Sequence, residues 1–235
     1  MLERLEKSYD QAVRFSADAA HELNTPLTVL QGELEQGIVS SDDDSEDQRR
    51  YNALLEEVQH LKSITRKLLI LSRADAGQLP LDLARLGFGR LIEAAVEDID
   101  VLGPGITVNC EIASGVTIQA DEELIVHTVQ NLVHDACKYN QPEGWISVGL
   151  ETRDEEVRMT ISNGSERLRN LIPKKLFERF YRGDASRSRS DKAVGSGLGL
   201  SLSREIARAH GGDLDVQAIG EDQITFCLSL PIVGS

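Results

Sequence analysis

Two hydrophobic periods divide the chain. Ala12, Ser16, Ala19, Leu23, Leu27, Leu30 and Leu34 recur at alternating spacings of four and three. That is a heptad seam, the pattern of coiled coils and antiparallel bundles. The stretch "GIVSSDDDSEDQ", Gly37 to Gln48, is too charged and helix-poor to be core. A second seam follows in Leu54, Val58, Leu61, Ile64, Leu68 and Leu71. Two such helices cannot bury both seams by themselves, so the pattern predicts a helical hairpin that pairs with a second copy in a four-helix bundle.

Beyond "RADAGQLP" the period changes. Pro80, Gly87 and Gly89 interrupt the helical pattern, and "ITVNCEI", "VTIQA", "WISVGLE", "VRMTISN" and "QITFCLSLP" carry the β-branched content of strands. Helical segments lie between them: Phe88 to Ile99, Glu122 to Lys138 and Leu198 to His210. Strands interleaved with longer helices predict an α/β sandwich, a sheet with helices on one face. The boundary falls near residues 77–86, giving a helical hairpin over 1–78 and a sandwich domain over 79–235.

Composition narrows the function. Across 235 residues the formal net charge is −14, which argues against general nucleic-acid binding, since that needs a basic footprint. Cys110, Cys137 and Cys227 are odd in number and far apart, and suggest neither a disulfide framework nor a zinc site. No apolar run reaches the roughly 18–20 residues that span a bilayer, and Met1-Leu-Glu-Arg is no signal peptide. The chain is expected to be soluble.

Three constellations carry chemistry. In the first helix, "HELNTPL" holds Pro26 at a helix-interior position, where the missing donor costs about 3 kcal/mol. His21 lies roughly 200° around the helix from the seam residue Leu23, on the solvent face. An exposed helical histidine alone usually carries no function. Here Glu22 follows it directly, Thr25 shares its face, and Pro26 frees the Glu22 carbonyl and tends to bend the helix there. In "NLVHDACKYN", Asn131, Asp135 and Lys138 are spaced i, i+4, i+7 and share a helix face. Two oxygen ligands and a cation suit a hydrated Mg²⁺ bridging phosphates, although a solvated polar face has the same appearance. "GSGLGL", Gly195 to Leu200, runs into a helix N-terminus, where backbone N–H groups and the dipole favour an anion. The polar, basic "YRGDASRSRSDKAV" precedes it instead of a strand, which disfavours a dinucleotide-binding reading. Arg182, Arg187, Arg189 and Lys192 could approach phosphates from that loop.

These strings closely resemble the boxes of two-component sensor histidine kinases. "HELNTPL" resembles the phosphoacceptor box, with Asn24 where arginine is usual. "NLVHDACKYN" resembles the asparagine box, with Asp135 in place of a second asparagine, and it brings Tyr139 along. "LFERFYRGD", Leu176 to Asp184, and "GSGLGL" resemble the phenylalanine box and the second glycine box. Counting back from "LFERF" places "NGSER" at the first glycine box, with Asn163 for the adenine-binding aspartate and with Ser165 and Arg167 for its glycines. An asparagine carbonyl can still accept from an amino group, and some heavy-metal-sensor-like members carry Asn there. Asp121 in "IQADEEL" is read as structural. His60, His127, His134 and His210 lack metal-ligand spacing and are expected at surface or boundary positions, with His134 alone within reach of phosphate.

The resemblance implies a dimeric helical hairpin bundle followed by a Bergerat-type ATP-binding α/β sandwich. It implies ATP-dependent autophosphorylation of His21, assisted by Glu22, then transfer to an aspartate of a response-regulator receiver domain. Thr25 would orient a water for dephosphorylation of that partner. ATP would meet Asn131, Asp135, Lys138, Tyr139, Asn163, Arg182, Gly195, Gly197, Leu198, Gly199 and Leu200, with Mg²⁺ on Asn131 and Asp135. The segment "LERLEKSYDQAVRF" looks like the tail of a signalling helix, which implies a cytoplasmic portion of a membrane sensor. Two other readings stand beside this one. The off-pattern Asp135, Ser165 and Arg167 fit a weak kinase acting mainly as phosphatase or nucleotide-gated scaffold. An ATPase of chaperone or mismatch-repair type shares the sandwich but would not carry the hairpin with "HELNTPL".

Overall fold

The computed structural model describes residues 22–165, 172–181, 196–220 and 222–232. It separates into two compact units, Met1–Leu79 and Pro80–Ser235.

The first unit is a helical hairpin. Helix α1 covers 22–40 and α2 is Glu46–Asp75. The charged break is shorter than the composition suggests, because a good helix start lies inside it. Ser45 caps α2 by accepting from the Gln48 N–H at 3.1 Å, and the Gln48 side chain reaches back to the Asp44 N–H at 2.9 Å. Glu46 and Asp47 then complement the dipole of the first turn. Between the helices Lys62 Nζ donates to Gln31 Oε1 at 2.8 Å. Within α2, Val58, Thr65, Leu71 and Ser72 are buried. Other seam residues stay open in the single chain: Leu23, Leu30, Leu54, Leu61 and Leu68 are all exposed.

The second unit is a mixed sandwich. Strand β1 (Leu83–Gly87) pairs antiparallel with β3 (Thr117–Asp121) as a small separate sheet. The main sheet has the order β2-β4-β5-β7-β6, built from Thr107–Ile112, Trp145–Arg153, Glu156–Gly164, Gln223–Pro231 and Asp213–Ile219. Its β2–β4 pair is parallel and the other pairs are antiparallel. Helices α3 (Phe88–Glu97), α4 (Ile99–Leu102), α5 (Glu122–Lys138) and α6 (Gly199–Ala209) complete the described elements.

Strict alternation decides which face of the sheet is covered. Ile146, Val148 and Leu150 of β4 and Val157, Met159 and Ile161 of β5 are buried, while their alternate neighbours are half-exposed or exposed. Against them lie Ile125, Val129, Leu132 and Val133 of α5 and Leu202 and Ile206 of α6. Helices cover one face, as the interleaving predicts.

Two strands are not evident from local pattern. β1 buries only Leu86 and owes its conformation to pairing with β3. β6 begins "DLDVQ", where Asp is disfavoured in strands, yet Leu214 is fully buried and β7 supplies the ladder. Among the described residues, no helix is long and apolar enough to cross a membrane.

Candidate nucleotide site and phosphoacceptor helix

His21 lies outside the described residues, as do Arg182, Gly195 and the loop residues Arg167, Arg187, Arg189 and Lys192. Glu22 and Thr25 are exposed near the start of α1. Helix α1 continues through Pro26, and the Thr28 hydroxyl donates to the Asn24 carbonyl at 2.8 Å. The helix thus survives the proline, with a local side-chain bond one turn further on.

On α5, Asn131, Asp135 and Lys138 share a half-buried face flanking the core residues Leu132, Val133 and Ala136. Lys138 sits 5.5 Å from the centroid of the Tyr139 ring, a cation–π contact at the helix end. Asn131 faces α6 directly. Its Nδ2 donates to Ser203 Oγ at 3.3 Å, and its Oδ1 occupies the space a Cβ on Gly199 would need. With the amide nitrogen engaged by Ser203, Oδ1 is left as the lone-pair donor at the start of α6. An amide oxygen and a carboxylate are the hard donors that Mg²⁺ takes, so Asn131 and Asp135 fit that ion.

The start of α6 is shaped for an anion. Leu198 at the N-cap is in the helical region and offers no side-chain cap, while Ser201 Oγ turns back to the Leu198 carbonyl at 3.0 Å. Leu198 itself is fully buried and Leu200 half-buried, which pins the turn to the core. Just before it, Gly197 has φ +70°, and a Cβ there would come within 2.9 Å of the Phe180 carbonyl carbon. Glycine is required on both counts. The Phe180 N–H donates to the Gly197 carbonyl at 2.8 Å, tying the phenylalanine-rich segment to the glycine turn.

Asn163 ends the buried phase of β5: Val157, Met159, Ile161, then Asn163, which is only 2 % exposed. Its Nδ2 donates to the Gly164 carbonyl at 3.1 Å, which leaves Oδ1 as the acceptor. An acceptor at a helix-covered sheet end is what an adenine amino group requires. Ser165 is also buried, and its N–H donates to the Asp222 carbonyl at 2.9 Å.

His210 departs from its expected surface or boundary position. It is buried, with Nδ1 2.8 Å from the Ile206 carbonyl and Nε2 accepting from the Asp121 N–H at 3.0 Å. That pair of bonds places the ring proton on Nδ1. Asp121 in turn caps α5, accepting from the Leu124 N–H and from the Asp82 N–H, each at 3.1 Å. The end of α6 and the start of α5 are therefore fastened together. Sequence reading passed over Ser203, although its place one turn after Gly199 on α6 points it to the same neighbour.

All three thiols lie above their ordinary value of 9.0, raised chiefly by burial, with Glu93 adding to the effect at Cys110. None is a thiolate nucleophile at neutral pH.

Comparison with known proteins adds two domain matches. Residues 11–77 match the His Kinase A (phospho-acceptor) domain, and residues 120–233 match the histidine kinase-, DNA gyrase B- and HSP90-like ATPase. The chain is 30% identical to the sensor protein CzcS of Cupriavidus metallidurans, covering 100% of this chain and 49% of that protein. It is 32% identical to the probable sensor protein PcoS of Escherichia coli, over 94% of this chain and 47% of that one. It thus spans about half the length of these relatives. Full-length ShkA, crystallised with AMPPNP, has the same fold at TM-score 0.79 and 23% identity, covering 94% of this chain and 46% of that one. The Acinetobacter baumannii histidine kinase AdeS matches at TM-score 0.61 and 21% identity, over 91% of this chain and 98% of the other. The chain belongs to the sensor histidine kinases, as a core that joins their phosphoacceptor hairpin to their ATPase domain.

Proposed function

We propose that the sandwich binds Mg·ATP, that His21 takes its γ-phosphoryl group, and that an aspartate of a response-regulator receiver domain then accepts it. The observation that carries the reading is the meeting of Asn131 with Gly199 at the uncapped start of α6, in a chain whose other unit matches a phosphoacceptor domain.

Each residue has a task in this scheme. Asn131 and Asp135 would hold Mg²⁺, which when bound neutralises charge on the phosphates. The first N–H groups of α6 bind a phosphate oxygen, and Lys138 adds a cation beside it. Asn163 Oδ1 accepts from the adenine amino group, fixing the far end of the nucleotide. Glu22 holds the proton of the His21 ring, so that a neutral nitrogen attacks the γ-phosphorus as the bond to ADP breaks. Catalysis then rests on in-line placement and charge neutralisation. Thr25, on the same face as His21, orients a water that attacks the partner's aspartyl phosphate, breaking its P–O bond to the aspartate and releasing inorganic phosphate.

The exposed leucines of the hairpin support a homodimer, and the membrane-sensor reading places this core on the cytoplasmic side. Incubation with Mg²⁺ and γ-labelled ATP, beside His21→Ala, tests the scheme. Acid-labile, base-stable label on the parent alone supports it, and no label on the parent refutes the kinase. Thr25→Ala should keep the label and lose phosphatase activity toward the receiver.

One observation favours a weaker kinase. Ser165, where the family has a glycine, is buried and hydrogen-bonded through its backbone to Asp222. A Cβ there restricts a backbone position at which glycine would be conformationally freer. Nucleotide binding without label would single out this reading.

A further inference from the structure

The segment from Ile172 to Tyr181 leads into the glycine turn yet has little core of its own. Its 3-10 helix, Pro173–Phe177, contains no buried residue. Phe180 adopts φ +61°, costly for a bulky side chain, and is 59% exposed. Something outside the segment must hold it in place.

Arg204 on α6 provides that hold. Its guanidinium carbon lies 4.5 Å from the centroid of the Phe177 ring. The fork is fixed on its other edge by Asp213 at the start of β6, with Nε to Oδ1 at 2.9 Å and Nη2 to Oδ2 at 3.0 Å. A guanidinium held by two parallel bonds presents a set plane, which a lone cation would not. Three residues after Phe177, the Phe180 N–H reaches the Gly197 carbonyl, and two residues after Gly197, Gly199 abuts Asn131. Arg204 also directly follows Ser203, the partner of Asn131 Nδ2. One run of contacts therefore leads from the sheet at Asp213, through Arg204 and the phenylalanine segment, to the glycine turn and Asn131.

Arg208 makes an instructive contrast. It donates to the same Asp213 Oδ1 at 3.2 Å and to Glu205 at 2.9 Å. Its guanidinium has no aromatic contact among the described residues. Whatever the two arginines share is the ion pair; what Arg204 has alone is the ring.

We infer that Arg204 is a positioning residue of the nucleotide site, clamping Phe177 so that the glycine turn is held against Asn131. The inference rests on the reading of Asn131 and the glycine turn as that site. Arg204 touches no phosphate in this role. It acts through Phe177 and Phe180.

The experiment compares the full chain with Arg204→Ala, Arg204→Lys and Arg208→Ala. It measures amide hydrogen exchange at Phe180, Mg·ADP affinity by calorimetry, and the unfolding midpoint. Arg204→Ala should speed Phe180 exchange and raise the Kd about five- to tenfold, as expected for loss of one oriented cation–π contact. Arg204→Lys keeps a cation but not the fork, and should fall between it and the parent. Arg208→Ala should leave both readouts unchanged, whatever it does to the midpoint. Equal effects from Arg204→Ala and Arg208→Ala would reduce Arg204 to a surface ion pair and overturn the inference. So would a parent and Arg204→Ala that bind nucleotide alike. A parent that binds no nucleotide would instead sink the nucleotide-site reading, and this inference with it.

Discussion

Asn131 and Gly199 meet across the α5–α6 interface so closely that the glycine has no room for a Cβ. The obstacle is the Asn131 amide itself, not backbone. A methyl group at position 199 can therefore be accommodated, but only by moving the proposed Mg²⁺ ligand. Gly199→Ala should leave the fold intact, with an unfolding midpoint within a few degrees of the parent. Gly199 opens α6 rather than lying in its interior, so exchange for alanine changes helix propensity little. Mg·ATP affinity should fall at least about tenfold, since a ligand displaced by about 1 Å loses its geometry. Calorimetry alongside thermal unfolding checks both halves, and unchanged affinity would detach Asn131 from the metal.

Asp135 brings a carboxylate to a position where the family has an amide. The same oxygen donor survives in Asp135→Asn, with one negative charge fewer beside a triphosphate. At an effective dielectric of about 40, between a protein surface and bulk water, a unit charge about 4–8 Å away is worth on the order of 1–2 kcal/mol. Asp135→Asn should thus bind free ATP about tenfold more tightly, and the gain should shrink when Mg²⁺ is saturating. Titrations with and without Mg²⁺ measure the difference. A loss of affinity in both would show that the carboxylate is needed as such.

Much of this arrangement is legible in the sequence, and the illegible parts share a cause. Helix α5 begins and ends where its pattern says, because Asp121 caps it and its apolar positions keep a helical period. β1 is not evident because its partner β3 lies far along the chain, and β6 because its Asp-rich start reads as loop until the neighbouring β7 supplies the ladder. Asn163 was found through resemblance, yet the alternation of "VRMTISN" already places it in the buried phase of β5. A polar residue there is a signal by itself. Arg204 left no such trace, since an arginine on a half-exposed helix face reads as solvated until Phe177 and Asp213 are seen around it. His210 reads as a boundary residue for a related reason: its Ile206 carbonyl is one turn back on α6, but the Asp121 amide that completes its burial comes from far along the chain.

The Arg204–Asp213 pair gives stability a pH dependence of known sign. Burial alone would raise the Asp213 carboxyl. The Arg204 hydrogen bond, the Leu214 N–H and the charges of Arg204 and Arg208 outweigh it and hold the carboxyl below its ordinary 3.8. A depressed folded value means that the contribution is complete above the unfolded value. It is lost as pH falls through 3.8 and on through the folded value. Asp213 is 42% exposed, so solvent screening limits the effect to about 1 kcal/mol or less. Asp213→Asn should lower stability at neutral pH by up to about 1 kcal/mol, and its deficit should shrink progressively as the pH falls below 3.8. Urea unfolding of both chains across this range tests the sign, and a deficit that grows on acidification would reverse it.

The hairpin's open seam predicts its oligomeric state. Leu54, Leu61 and Leu68 follow one another at heptad spacing on α2, and Leu23 and Leu30 do so on α1. Each is between 37% and 53% exposed in the single chain. Covering such a leucine is worth roughly 1 kcal/mol, and a two-fold bundle buries it twice. Leu61→Asp should do more than remove that gain, because it places two carboxylates in an apolar seam, a desolvation cost of several kcal/mol. The dimer dissociation constant should rise by at least about a hundredfold. Sedimentation of the parent and variant at matched concentrations measures it. The sandwich does not depend on this seam, so nucleotide affinity per chain should be unchanged. A parent that sediments as a monomer at high concentration would leave the open seam to a different partner and overturn the four-helix bundle.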